Sequence, residues 1–224
     1  MMKRALCLLF VAICTAAAQT ADQRFEFADY LHMNGEDGFA MLEFKRFVFH
    51  HPDHARAPEA FRRLAELYIS YREDVAGAQR ILRALIERYP DDAEGRKAKT
   101  LLDFIEVNSD FKGKPLKLWM AAESLEKQKR YDLAAERLDA LLSDYPKAHL
   151  ADDAWFRKGV LLRDHLGSPK EAYTQFAELK TRYPDSDKVT RAAFEAAATL
   201  ATIPGREGDT ATAFREFAAA HPKD

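Results

Sequence analysis

A histidine or tyrosine followed by proline recurs five times in this chain, as His51-Pro52, Tyr89-Pro90, Tyr145-Pro146, Tyr183-Pro184 and His221-Pro222. The prolines are separated by 38, 56, 38 and 38 residues. A fixed period between about 20 and 50 residues is the mark of a solenoid built from stacked units. Twelve residues before each proline stands a small residue: Ala40, Ala78, Ala134, Ala172 or Thr210. Eight before stand Phe44, Leu82, Leu138, Phe176 and Phe214, and five before stand Phe47, Leu85, Leu141, Leu179 and Phe217. Offsets of four and three place these residues on one face of a helix. The helix ends where it meets proline, because the preceding residue avoids helical dihedrals.

A second helix precedes each of these. Ala60, Ala98, Ala154 and Ala192 fall eight residues after the first four prolines, with Phe61, Trp155, Phe156 and Phe194 beside three of them. Asp91, Asp185 and Ser186 follow the prolines and are expected to cap incoming helices. Turn signals separate the paired helices at Asn34-Gly35, Gly167-Ser168-Pro169 and Pro204-Gly205. Here Gly167 can close one helix, Ser168 cap the next, and Pro169 fit its first turn. The pattern predicts an all-α solenoid of about five antiparallel helix pairs, near 22–51, 55–89, 114–145, 150–183 and 187–221. The long interval leaves room for one extra helix between Asp92 and Val107, with Ala98, Leu101, Leu102 and Ile105 as its apolar stripe. A break in the domain is expected near 108–115, where Gly113 and Pro115 lie. No pair of this kind buries its apolar face alone, so the units must stack.

These residues resemble the tetratricopeptide repeat (TPR). From Pro115 to Pro146, the residues Leu118, Ala122, Leu125, Tyr131, Ala134, Leu138, Leu141 and Pro146 sit at the signature offsets, and Gly159 takes the glycine position of the next unit. The 38-residue period and the aromatic-proline ending resemble bacterial envelope TPR proteins. Among these are the BamD-like lipoproteins of outer-membrane assembly and the periplasmic TPR protein associated with the Tol-Pal system. The chain departs from the first by lacking a good lipobox and from the second by lacking an N-terminal heptad region. The resemblance implies a non-enzymatic scaffold or adaptor that holds envelope proteins or peptides in a concave groove. A self-associating structural element is the alternative, since the Ala-rich last unit has no polar capping helix after it.

The beginning of the chain reads as an address. Lys3 and Arg4, an apolar run from Ala5 to Cys14 and the small residues Thr15 to Ala18 form a secretory signal pattern cleaved after Ala18. This predicts a domain over 19–224 that is periplasmic or secreted. Cys14 could end a lipoprotein signal instead, but Ile13 is bulky where such a signal carries a small residue. Both cysteines, Cys7 and Cys14, lie in this leader, so disulfide and thiolate chemistry is excluded from the rest.

Without Lys3 and Arg4 the balance is 32 basic against 36 acidic residues, a net of −4. That mixed surface offers no basic stripe for nucleic acid and no polybasic membrane patch, so membrane contact is expected only peripherally or through partners. No P-loop, G-x-S-x-G, H-E-x-x-H or Rossmann glycine cluster is present, and no cofactor is implied. His50, His51 and His54 could ligate zinc or copper. Yet His51 fills the slot occupied elsewhere by tyrosine, and Pro52 separates His50 from His54, so no metal site is expected.

The resemblance places ligand contacts on the first helix of each pair. It points to Arg62, Trp119, Glu123, Asp153, Phe156, Arg163 and Phe194, with Phe25 nearby, as groove residues for a protein partner. Aromatic anchors flanked by charge suit a peptide or partner helix. The same aromatics would serve equally as packing between helices, and the charges as a solvated face.

Overall fold

The structure, a computed structural model, describes residues 20–220. The leader over residues 1–18 and the His221-Pro222 step lie outside the described residues. Helices α1 (Ala21–Met33) and α2 (Asp37–His50) form the first pair, α3 (Ala57–Ser70) and α4 (Val75–Arg88) the second, and α5 (Ala93–Val107) follows unpaired. A 3₁₀ turn (Asp110–Gly113) leads to three further pairs. These are α6 (Lys114–Lys127) with α7 (Tyr131–Asp144), α8 (Ala151–Asp164) with α9 (Pro169–Arg182), and α10 (Val189–Leu200) with α11 (Glu207–Ala220). The expected pairs and extra helix are thus present as a TPR-type helical solenoid, without a strand among the described residues. The chain divides into two compact units, residues 1–102 and 103–224. The division falls within α5, several residues before the turn at Phe111 and Lys112, whose φ angles of 48° and 60° are left-handed.

The proline ruler is a packing device. Ala40, Ala78, Ala134 and Ala172 are fully buried, as are Phe44, Leu82 and Leu138 eight residues before their prolines. Burying one such large side chain contributes roughly 1.5–3 kcal/mol. In two pairs the residue before proline reads back onto its own first helix: the Tyr89 ring lies 6.0 Å from Phe61, and Tyr183 lies 6.2 Å from Trp155. The Tyr89 hydroxyl also donates to the Pro52 carbonyl, joining one aromatic-proline step to the step before it. In the final pair α11 contributes no buried residue; Phe214 and Phe217 are partly covered by Phe194 of α10.

Two local details differ from expectation. Ser168 precedes α9 but makes no side-chain capping bond, and Pro169 supplies the first turn there. Asp92 rather than Asp91 receives the early α5 amide, from Glu94 at 2.7 Å, and Ser186 receives the Lys188 amide at 3.1 Å. The strong caps stand elsewhere. Thr20 and Gln23 form a capping box on α1, and Asp74 accepts the Gly77 amide at 2.7 Å on α4. Gly159 is required by close approach: a Cβ there would stand 2.6 Å from the Phe176 ring.

Candidate functional site in the first helices

The first helices of neighbouring pairs are joined by ion pairs across a repeat. In the first unit, α1 and α3 meet through Glu26 with Arg56 and through Asp29 with Arg63. Arg62 of α3 is held by Glu66 on its own helix and by Glu94 of α5. Burial works against the Arg62 cation, yet the two carboxylates hold its pKa above the ordinary guanidinium value. Burial likewise opposes the Glu94 anion, and Lys97 and Arg62 outweigh it, so its pKa falls below the ordinary 4.5. Phe25 lies beneath this face, fully buried 5.4 Å from Phe44 and 5.6 Å from Phe47.

The second unit gathers six of the seven expected residues on α6, α8 and α10. Arg157 of α8 is the hub. It grips Glu126 with two bonds of 2.7 and 3.1 Å, reaches Glu123 at 2.8 Å, and lies over the Trp119 ring at 4.7 Å. Burial opposes the Arg157 charge, and the Glu126 and Glu123 carboxylates together raise its pKa. Nearly two turns toward the helix C-terminus, Arg163 pairs with Asp164 and with Glu195 of α10. The Asp164 bond is the largest influence on Arg163 and raises its pKa further. At the other end of α8, Asp153 takes Lys188, the N-cap residue of α10, at 2.9 Å. Burial pushes the Asp153 carboxyl above its usual range despite that lysine.

The aromatics divide by exposure. Trp119 is 9% exposed beneath Arg157, and Phe156 is 8% exposed, packed 5.4 Å from Phe176 and covered by Arg191 at 4.9 Å. Phe194 is 45% exposed between Arg191 and Glu195, with Phe214 and Phe217 behind it. Arg62 stands in the other unit. Sequence reasoning missed Arg157, Lys188, Arg191 and Glu195. Acid and base separated by roughly one repeat was the available signal: Asp29 with Arg63 and Glu123 with Arg157 share a separation of 34 residues.

Two of the three histidines pack on Phe47, while the His50 ring lies 5.0 Å from that of Phe49. The rings of His51 and His54 lie 5.4 and 5.5 Å from that of Phe47, and among the described residues no group of three potential ligands is placed to hold a metal. Nor is any described helix long and apolar enough to cross a membrane.

With this geometry in view, the tetratricopeptide repeat profile matches residues 59–92, 118–148 and 153–186. Each match begins in the first helix of a pair and ends beyond the second, at or just after the aromatic-proline step. Over those three stretches the chain matches the tetratricopeptide repeat. Among solved structures, TPR-like repeats of a kinesin light chain from Podospora anserina are 12% identical at a TM-score of 0.45, covering 90% of this chain and 94% of theirs. MamA is 13% identical at a TM-score of 0.43, covering 88% of this chain and 95% of its own. YrrB, described as a TPR protein with an unusual peptide-binding site, is 17% identical at a TM-score of 0.43, covering 91% and 88% respectively. No curated protein is significantly similar to this chain in sequence. A TPR fold of this kind is suited to holding other proteins.

Proposed function

We propose that this TPR protein is a non-enzymatic adaptor, exported to the periplasm, that captures an envelope protein or peptide on the first-helix face of α6, α8 and α10. One observation carries the reading. Trp119 and Phe156 lie just under the surface, covered by Arg157 and Arg191, and Phe194 stands 45% exposed. Most of the charge on the face is matched internally, so a partner meets little uncompensated charge and its affinity is expected to come from aromatic and arginine contacts. The ion pairs also hold the three helices in register, which lowers the ordering cost of binding. The aromatic-proline ending and the signal pattern over residues 1–18 motivate the envelope setting.

Crosslinking in the native envelope, followed by capture through a C-terminal tag, tests this. Specific recovery of an outer-membrane-assembly or cell-wall component, reduced at least about tenfold by Phe194→Ala with Arg157→Ala, is the expected result. Capture unchanged by both substitutions would remove this face from the account.

A further inference from the structure

The second helix of the first pair differs from its counterparts on the side turned away from the core. Phe39, Leu42 and Phe49 of α2 are 63%, 42% and 78% exposed. Their spacing sets them on one stripe, with Arg46 between Leu42 and Phe49. Counted from the ruler, the Leu42 position holds Arg80, Glu136, Thr174 and Thr212 in the other second helices. The Phe49 position holds Glu87, Ser143, Thr181 and Ala219. At the Phe39 position stand Gly77, Leu133, Glu171 and Asp209. Stacking of repeats therefore requires no apolar stripe here, and the core of α2 is already complete on the opposite side in Ala40, Phe44 and Phe47. Three large apolar side chains left in water on one helix face mark an interaction surface.

The charge pattern says what fits it. Glu36 at the N-cap and Glu43 lie toward the start of the helix, and Lys45, Arg46 and His50 toward its end. The stripe is also symmetric about residue 44: Phe39 and Phe49 are equidistant from it, and so are Leu42 and Arg46. A twofold contact demands a patch that is complementary to itself. We propose that the outward face of α2 binds α2 of a second copy of this chain, packed antiparallel. Phe39 of each copy then meets Phe49 of the other. The aliphatic stem of each Arg46 covers the opposing Leu42, while the Arg46 guanidinium keeps its 2.7 Å bond to Glu43. Acidic halves face basic halves, and the helix dipoles oppose. A single helix pair buries less than the roughly 1,600 Å² of a tight complex, so the dimer forms in the micromolar range.

This surface lies on α2, apart from the proposed partner face, and the two fail separately. Sedimentation equilibrium of the purified chain from about 1 to 500 µM should show a reversible monomer–dimer equilibrium. Phe39→Asp with Phe49→Asp should weaken it about a hundredfold, since each copy loses two aromatic anchors. Val107→Asp, at another exposed apolar site, should leave it unchanged. Circular dichroism reports folding, and Phe39→Ser with Phe49→Ser replaces the double aspartate variant if that one unfolds. A monomer at every concentration, or a dimer indifferent to these substitutions, overturns the proposal. Envelope partner capture by the same variants should persist.

Discussion

Arg157 shows how much of this face hangs on single side chains. Replacing it with Met leaves Glu123 and Glu126 facing each other half-buried and uncovers Trp119, at a cost of about 2 kcal/mol in urea unfolding. Arg157→Lys should recover less than half of that, because a lysine cannot repeat the two-bond grip on Glu126. Gly159→Ala is expected to cost about 1–3 kcal/mol by forcing the Phe176 ring aside, read as a lowered melting temperature. Glu94 gives a pH signature. Its folded pKa lies below the ordinary 4.5, so its stabilisation is fully present above that value and is lost as pH falls through the lowered one. The melting temperature of the parent chain should therefore exceed that of Glu94→Gln at pH 6. The gap should close toward pH 3; a gap constant with pH would contradict the assignment.

At the scale of elements, the aromatic-proline step was legible because it is local: proline ends a helix, and the apolar offsets before it follow the helical period. The ion pairs were less legible. Arg157 and Glu123 are partners only once α6 and α8 lie side by side, and neither residue departs from ordinary surface composition. The same distance in sequence hid the fate of the aromatics. Phe156 and Phe194 hold the same place in their helices, and each has phenylalanine of its pair's second helix below it; Phe156 is also covered by Arg191 of the next pair, while Phe194 stays 45% exposed. Caps also eluded the pattern, since Asp91 and Asp92 are equivalent in sequence and only the turn geometry selects Asp92. The Tyr89 hydroxyl offers a test of the repeat-to-repeat tie. Tyr89→Phe keeps the ring contact with Phe61 and loses the bond to Pro52, which should cost about 1 kcal/mol in denaturant.

For the molecule as a whole, stability in an array of repeats comes from each unit and from its interface with the next. In this chain the ion pairs on the first helices belong to those interfaces, so the face that would hold a partner also ties the repeats together. Occupation of that face should therefore stiffen the three helices that compose it. Hydrogen-exchange mass spectrometry of the chain with its captured envelope partner reads this most directly. Slower exchange concentrated in residues 114–127, 151–164 and 189–200, strongest around Phe194, is the predicted result. Protection confined to α7, α9 and α11, or none in residues 103–224, would contradict partner capture by the first-helix face.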